Sequence, residues 1–319
     1  MSPGVIELAD VTKMYGDFTA VRGLSLSIPQ GATYGLLGPN GAGKTTTIRM
    51  ILRIIEETSG EIRILGEPVD RRVLDRVGYL PEERGVYKKM TVRRLLTFLA
   101  ELKGVAPSAS ASRIDHWLER FDLSEWKEAR VEELSKGMQQ KLQFIATILH
   151  EPDIVILDEP FSGLDPINQK ILREIISELR DQGRTILFST HIIVHAERIC
   201  DHVCIIARGD KVADGTVSDV KRTHAETYVA LEVAAGDAAS ALRSSRLVAS
   251  ARSDGDGRHA VYLSDGASPN QLLTELVQSG VAIRRFELVE PTLEQVFIET
   301  VGTPPEAFDG EALEEVARA

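Results

Sequence analysis

Two short runs in this 319-residue chain are suited to phosphate chemistry. The first is Gly38-Pro39-Asn40-Gly41-Ala42-Gly43-Lys44-Thr45, which fits the pattern Gly-x4-Gly-Lys-Thr. Glycines let the backbone curl so that successive N–H groups face an anion. A helix opening at Lys44 adds its own unpaired N–H groups and positive dipole end. In such a loop Lys44 reaches the β- and γ-phosphates, the Thr45 hydroxyl ligates Mg²⁺, and Thr46 lies beside it in the first turn. The second run, Ile154-Val155-Ile156-Leu157-Asp158-Glu159-Pro160, is apolar and ends in two carboxylates. Asp158 at the strand's C-terminal end is placed to hold Mg²⁺, directly or through water. Glu159 points elsewhere and is suited to act as general base toward a water. Pro160 stops the strand.

These runs need a parallel sheet to hold them. Thr33 to Leu37, Ile154 to Leu157, Thr185 to Phe188 and Val203 to Ile206 are continuous apolar runs, as buried parallel strands are. Helical patterns alternate with them at Lys44–Ile55, Thr91–Lys103, Ser112–Phe121, Lys136–Leu149, Pro166–Gln182 and Ile192–Cys200. That alternation predicts an α/β fold. The first ~30 residues alternate apolar and polar positions and predict a separate small antiparallel sheet. After a boundary near Arg222–Glu226 the predicted order is βαββαβ and a final helix, the ferredoxin-like α+β pattern. The expected domains are therefore 1–223 and 224–301, with 302–319 as an acidic, mobile tail.

Further motifs fall in a telling order. Leu134-Ser135-Lys136-Gly137-Met138 opens a helix shortly before the acidic strand. With the two phosphate motifs it resembles the ATP-binding subunit of an ATP-binding cassette (ABC) transporter, a P-loop ATPase. The family signature is Leu-Ser-Gly-Gly-Gln; here Lys136 replaces the first glycine and Met138 the glutamine, while Ser135 and Gly137 remain. A hydroxyl and a bare backbone at a helix N-terminus suit a γ-phosphate, and Ser135 also suits a simple N-cap.

The resemblance implies roles for other residues. Tyr15 is similar to the aromatic residue that stacks on adenine, and Asp165 in Ser162-Gly163-Leu164-Asp165 to the acid of the loop crossing a dimer interface. His191 matches the switch histidine of the γ-phosphate. Glu82 stands where the family usually has glutamine, and a carboxylate can ligate Mg²⁺ as a hard oxygen donor. Glu82 with the Leu-Ser-Lys-Gly-Met run, and Pro291-Thr292-Leu293-Glu294-Gln295-Val296-Phe297 near the end, resembles a branch of exporter ATPases with separate membrane subunits. The implied partners are a transmembrane permease and a second ATPase subunit, with ATP and Mg²⁺ as ligands. The implied place is the cytoplasmic face of the cell membrane.

Composition bounds these expectations. Hydrophobic residues make up 43% and charged residues 27%, an ordinary globular balance. A net charge of -11 argues against a surface built to grip nucleic acid. No run approaches the ~18 apolar residues of a spanning helix. The opening residues lack a basic then apolar pattern, so no secretory signal is expected. Two cysteines are too few for a disulfide framework. His191, His195, Cys200, His202 and Cys204 cluster in sequence, but Ile192 breaks the His-Glu-x-x-His pattern of a zinc site. The rival readings are a non-transport ABC ATPase acting on ribosomes or DNA, a nucleotide binder that does not hydrolyse, and a small-molecule kinase. A single phosphate loop and the absence of sustained heptads weigh against the first, Glu159 against the second, and the signature helix with His191, which a kinase would not need, against the third.

Overall fold

The computed structural model describes residues 4–83, 85, 87–224, 227–253 and 257–302. Expectations on Arg84, Val86, residues 225–226, 254–256 and the tail 303–319 lie outside them. The chain divides into two compact units, one ending at Thr216 and one starting at Val217.

In the first unit the elements are β1 (Ile6–Tyr15), β2 (Phe18–Ile28), β3 (Thr33–Leu37), α1 (Lys44–Ile51), β4 (Ser59–Ile64), β5 (Glu67–Pro68), α2 (Arg71–Leu74) and β6 (Val77–Leu80). There follow α3 (Val92–Leu102), α4 (Pro107–Arg120), α5 (Lys136–Ile148), β7 (Ile154–Asp158), α6 (Pro166–Asp181), β8 (Thr185–Thr190), α7 (Ile193–Ile199), β9 (His202–Ala207) and β10 (Asp210–Thr216).

The six-stranded sheet has the order β10-β9-β3-β8-β7-β6. It is parallel except for β10. Every residue of β3, β7 and β8 is buried, as strands covered on both faces must be. Leu36, Ile48, Ile51, Ile156, Leu187 and Cys204 share one core. Each large apolar side chain so buried contributes roughly 1.5–3 kcal/mol.

Register decides function here. Leu37 pairs with Thr190 and Asp158 with Ser189. The glycine loop after β3, the acids ending β7 and the histidine loop after β8 therefore leave the sheet side by side, at the strand ends where open α/β sheets bind ligands.

The small antiparallel sheet is larger than the first ~30 residues alone predict. Its order is β2-β1-β4-β5, with Ile6 paired to Ile64. The addition follows from Ile62 and Ile64, which alternate with charged residues and bury against the same core. Helix α4 also starts earlier, at Pro107, a residue suited to the first helical position.

The second unit contains α8 (Val217–His224), β11 (Tyr228–Ala235), α9 (Ala238–Ser244), β12 (Val248–Ser253), β13 (Arg258–Leu263), α10 (Pro269–Gln278), β14 (Ala282–Val289) and α11 (Leu293–Val301). Its strands run antiparallel in the order β12-β13-β11-β14, the ferredoxin-like arrangement. Val229, Leu231, Leu242, Val261, Leu272 and Leu276 form its core. The packing division falls before α8, whereas the sequence-based boundary falls at its end. The reason is that α8 packs on α11.

Helix α5 lies close on β6. A Cβ at Gly78 would stand 2.3 Å from the Thr147 carbonyl oxygen. Gly78→Ala is expected to cost about 1–3 kcal/mol by overpacking, lowering the melting temperature by about 2–4 °C per kcal/mol. Thermal unfolding followed by circular dichroism tests this, and an unchanged curve would mean that the contact yields freely.

Candidate nucleotide site

The glycine loop is tight where it meets the sheet and open where it faces solvent. Gly43 has φ +107°, and a Cβ there would lie 2.6 Å from the Ala20 carbonyl oxygen. Gly38 is equally constrained, its Cβ position being 2.2 Å from the Ile206 carbonyl oxygen. Pro39 and Ala42 are buried, Asn40 and Gly41 exposed. Helix α1 begins at Lys44, so its first N–H groups face the loop.

Lys44 is buried. Its Nζ donates to the carbonyl oxygens of Gly38 (2.8 Å) and Pro39 (3.2 Å). It also lies 3.6 Å from Glu159 Oε1. Burial lowers its pKa, and the charges of Glu159 and Asp158 oppose that shift. Thr45 Oγ1 donates to Asp158 Oδ1 at 3.3 Å, and Thr46 stands half-buried beside it.

Asp158 is 1% exposed. Oδ1 also accepts from Ser189 Oγ, while Oδ2 is buried and takes no hydrogen bond among the described residues. Burial raises the Asp158 pKa, and the bonds from Ser189 and Thr45 hold it back. Glu159 follows with φ 49°, in the left-handed region that residues other than glycine rarely adopt. Its N–H donates to Ser189 Oγ at 3.1 Å. Its Oε1 lies 3.0 Å from His191 Nδ1. The next carbonyl, of Pro160, accepts from Gln140 Nε2 at 2.7 Å.

Glu82 joins these acids. It lines a cavity of about 20 Å³ with Gln140, Asp158 and Glu159. Its pKa is raised by partial burial, then by the charges of Asp158 and Glu159; Lys44 and His191 oppose the shift. A larger cavity, about 360 Å³, lies beside Arg113 and Trp117 and is lined by none of the predicted site residues.

The remaining predicted residues make local contacts. Ser135 caps α5 and accepts from Met138 N at 3.3 Å. Gly137 has room at its Cβ position, the nearest atom being Leu164 Cδ2 at 3.9 Å. Asp165 caps α6; its carboxylate accepts from Asn168 N at 2.9 Å, and that bond lowers its pKa. Tyr15 ends β1, half exposed, with Lys13 Nζ 4.9 Å from its ring centre. The structure thus gathers Lys44, Thr45, Asp158, Glu159, His191 and Glu82, and leaves Tyr15, Ser135, Gly137 and Asp165 on its outer elements.

Sequence reasoning missed Ser189 and Gln140, which hold the two acids from behind. Ser189 had a signal, a hydroxyl two residues before His191; Gln140 had none apart from its place in α5. Among the described residues no three His, Cys, Asp or Glu side chains stand close enough to hold an ion alone. The free Oδ2 of Asp158 and the Thr45 hydroxyl do fit Mg²⁺, a hard cation that keeps waters and takes phosphate oxygens for its other positions.

A strand, a glycine loop and a helix with a buried lysine, flanked by an acid-ended strand and a histidine loop, define a P-loop nucleotide-binding domain. Residues 21–162 match the ABC transporter family, and residues 215–301 match the C-terminal domain of DrrA1-3-like ATP-binding proteins. The chain is 43% identical over 298 residues to the uncharacterized ABC transporter ATP-binding protein YhaQ of Bacillus subtilis (strain 168), covering 93% of this chain and 99% of that one. It is 40% identical over 218 residues to Nod factor export ATP-binding protein I of Burkholderia orbicola (strain AU 1054), covering 67% and 72%. A solved ATP-binding subunit of an ABC transporter superposes with a TM-score of 0.65 at 32% identity, covering 69% of this chain and 92% of that one. The chain belongs to the ATP-binding proteins of ABC transporters, a family of ATPases, and its relatives include an export protein. Among the described residues no helix is long and apolar enough to cross a membrane.

Glu82 carries a pH consequence. A raised pKa means that the folded protein holds this proton more tightly than the unfolded chain does. Below the ordinary value of 4.5 both states are protonated and nothing is lost; as pH rises past it, the folded state loses stability until the group is ionised in both. Nucleotide-free Glu82→Gln should therefore be more stable than wild type at neutral pH, the gain vanishing toward acid. Denaturant titrations at several pH values test this; equal stabilities throughout would show that the carboxylate is not strained.

Proposed function

We propose that this protein binds and hydrolyses ATP with Mg²⁺ to drive a separate transmembrane permease, as an exporter subunit at the cytoplasmic face of the membrane. The convergence of Lys44, Thr45, Asp158, Glu159 and His191 at adjacent strand ends carries the reading. In it, the loop Gly38, Pro39, Asn40, Gly41, Ala42 and Gly43 binds phosphates through its N–H groups, aided by Thr46. Tyr15 stacks on the adenine. Lys44 moves from its own loop's carbonyl oxygens to the β- and γ-phosphates. Thr45 and the Oδ2 of Asp158 would hold Mg²⁺, with Glu82 bordering the same place, and the ion would supply positive charge to offset that of the phosphates. Glu159 takes the proton of the attacking water through Oε1, and His191 beside it stabilises the charge on the γ-phosphate.

Ser135, Gly137 and Asp165 lie outside that cluster, on elements that a second ATPase subunit would complete. We place them against the partner's nucleotide in a head-to-tail dimer, homodimeric in the simplest case. Loss of the γ-phosphate then removes the contacts that bridge the subunits, and the dimer opens. The export direction is supported by the likeness to the Nod factor export protein. The second unit, which starts at Val217, serves as an accessory to dimerisation.

Glu159→Gln keeps the side chain's size and removes its basicity. It should cut ATP turnover by about 10²–10⁴-fold, retain ATP binding and favour an ATP-bound dimer. Steady-state ATPase assays and size-exclusion chromatography with ATP check both points. Hydrolysis at the wild-type rate would exclude Glu159 as the base.

A further inference from the structure

The turn that carries Glu159 needs support. Its φ of 49° is one that residues other than glycine rarely adopt, so neighbours must enforce it. Two supports are hydrogen bonds, from Glu159 N–H to Ser189 and from Gln140 to the Pro160 carbonyl. The third is aromatic. Phe161, two residues after Glu159, is buried. Its ring lies edge-on to Phe188 of β8, centroids 6.0 Å apart, and stacks on the ring of His195 at 4.4 Å and 24°.

His195 is 7% exposed and lies in the first turn of α7. Its N–H donates to the Ile192 carbonyl at 3.2 Å, which ties it to the loop of His191. Its Nδ1 stands 3.5 Å from Arg173 Nη1 of α6. A guanidinium only donates, so Nδ1 accepts and the neutral ring carries its proton on Nε2. The charged groups that face it are Arg173 from α6, Arg198 from its own helix, Glu159 and His191; burial and the two arginines lower its pKa and keep it neutral.

We propose that His195 is a positioning residue for hydrolysis: its ring braces Phe161, and with it the turn that aims Glu159, while its backbone ties that brace to the loop of His191. This rests on the roles proposed above for Glu159 and His191. Arg173 fixes the plane of the brace through Nδ1. Small displacements of a catalytic group cost rate far more than they cost ligand affinity, so the effect belongs in kcat.

The test is steady-state ATPase kinetics on the full-length protein carrying His195→Ala, His195→Gln or His195→Phe, each checked by thermal unfolding. Ala removes the ring, Gln keeps a polar group without the ring, and Phe keeps the stacking surface. Ala and Gln are expected to lower kcat by at least about fivefold with KM for ATP within about twofold of wild type, and Phe to recover kcat to within about twofold. If Ala does not fold, the comparison of Gln with Phe decides. Wild-type kcat in the Gln variant, a raised KM with unchanged kcat, or a Phe variant no faster than Gln would overturn the proposal. Glu159→Gln run alongside separates the two ideas. If it hydrolyses normally, the reading of the site fails; if it is inactive while the ringless variants are normal, only the brace fails.

Discussion

The site depends on holding one ammonium and two carboxylates out of water before any nucleotide arrives. Lys44, Asp158 and Glu159 are all buried. Burying an ion costs several kcal/mol unless partners compensate. The compensation is internal: loop carbonyl oxygens and Glu159 around Lys44, hydroxyls of Thr45 and Ser189 on Asp158, His191 beside Glu159. It is incomplete, since Asp158 retains a buried oxygen with no hydrogen bond and the pKa values of Asp158 and Glu82 are pushed up. A cation beside Asp158 Oδ2 would offset what these groups lack.

That cluster exists only because three parallel strands end level. The β3, β8 and β7 register sets the glycine loop, the histidine loop and the acids beside one another. A shift by one residue would swap the faces of the β7 side chains and take Asp158 from its partners Thr45 and Ser189. The apolar runs that build these strands therefore determine chemistry as well as stability. The backbone turns left-handed at Glu159, and the two acids take different partners, Thr45 for Asp158 and His191 for Glu159.

Much of this was legible in the residues, because the features involved are local. A glycine loop between an apolar strand and a helical pattern specifies its own geometry within a few residues. The acid-ended strand is similar, and so is the βαββαβ order of the second unit, where hydrophobic periods are short and turns marked. What was not legible is non-local. Strand β4 joins the first sheet by pairing with β1 across a long intervening segment, and nothing near Ile62 or Ile64 names that partner. The supports of Glu159 come from α5, β8 and α7, and only folding brings them together.

The sequence by itself determined the nucleotide chemistry and the family resemblance, because backbone conformation and charge in a phosphate loop are set by residues within one turn of each other. Tertiary structure alone decided which groups pack behind those motifs. Ser189 on Asp158, Gln140 on Pro160 and His195 against Phe161 are contacts between elements far apart in the chain. Their energies depend on packing and register, for which a linear pattern has no local signal.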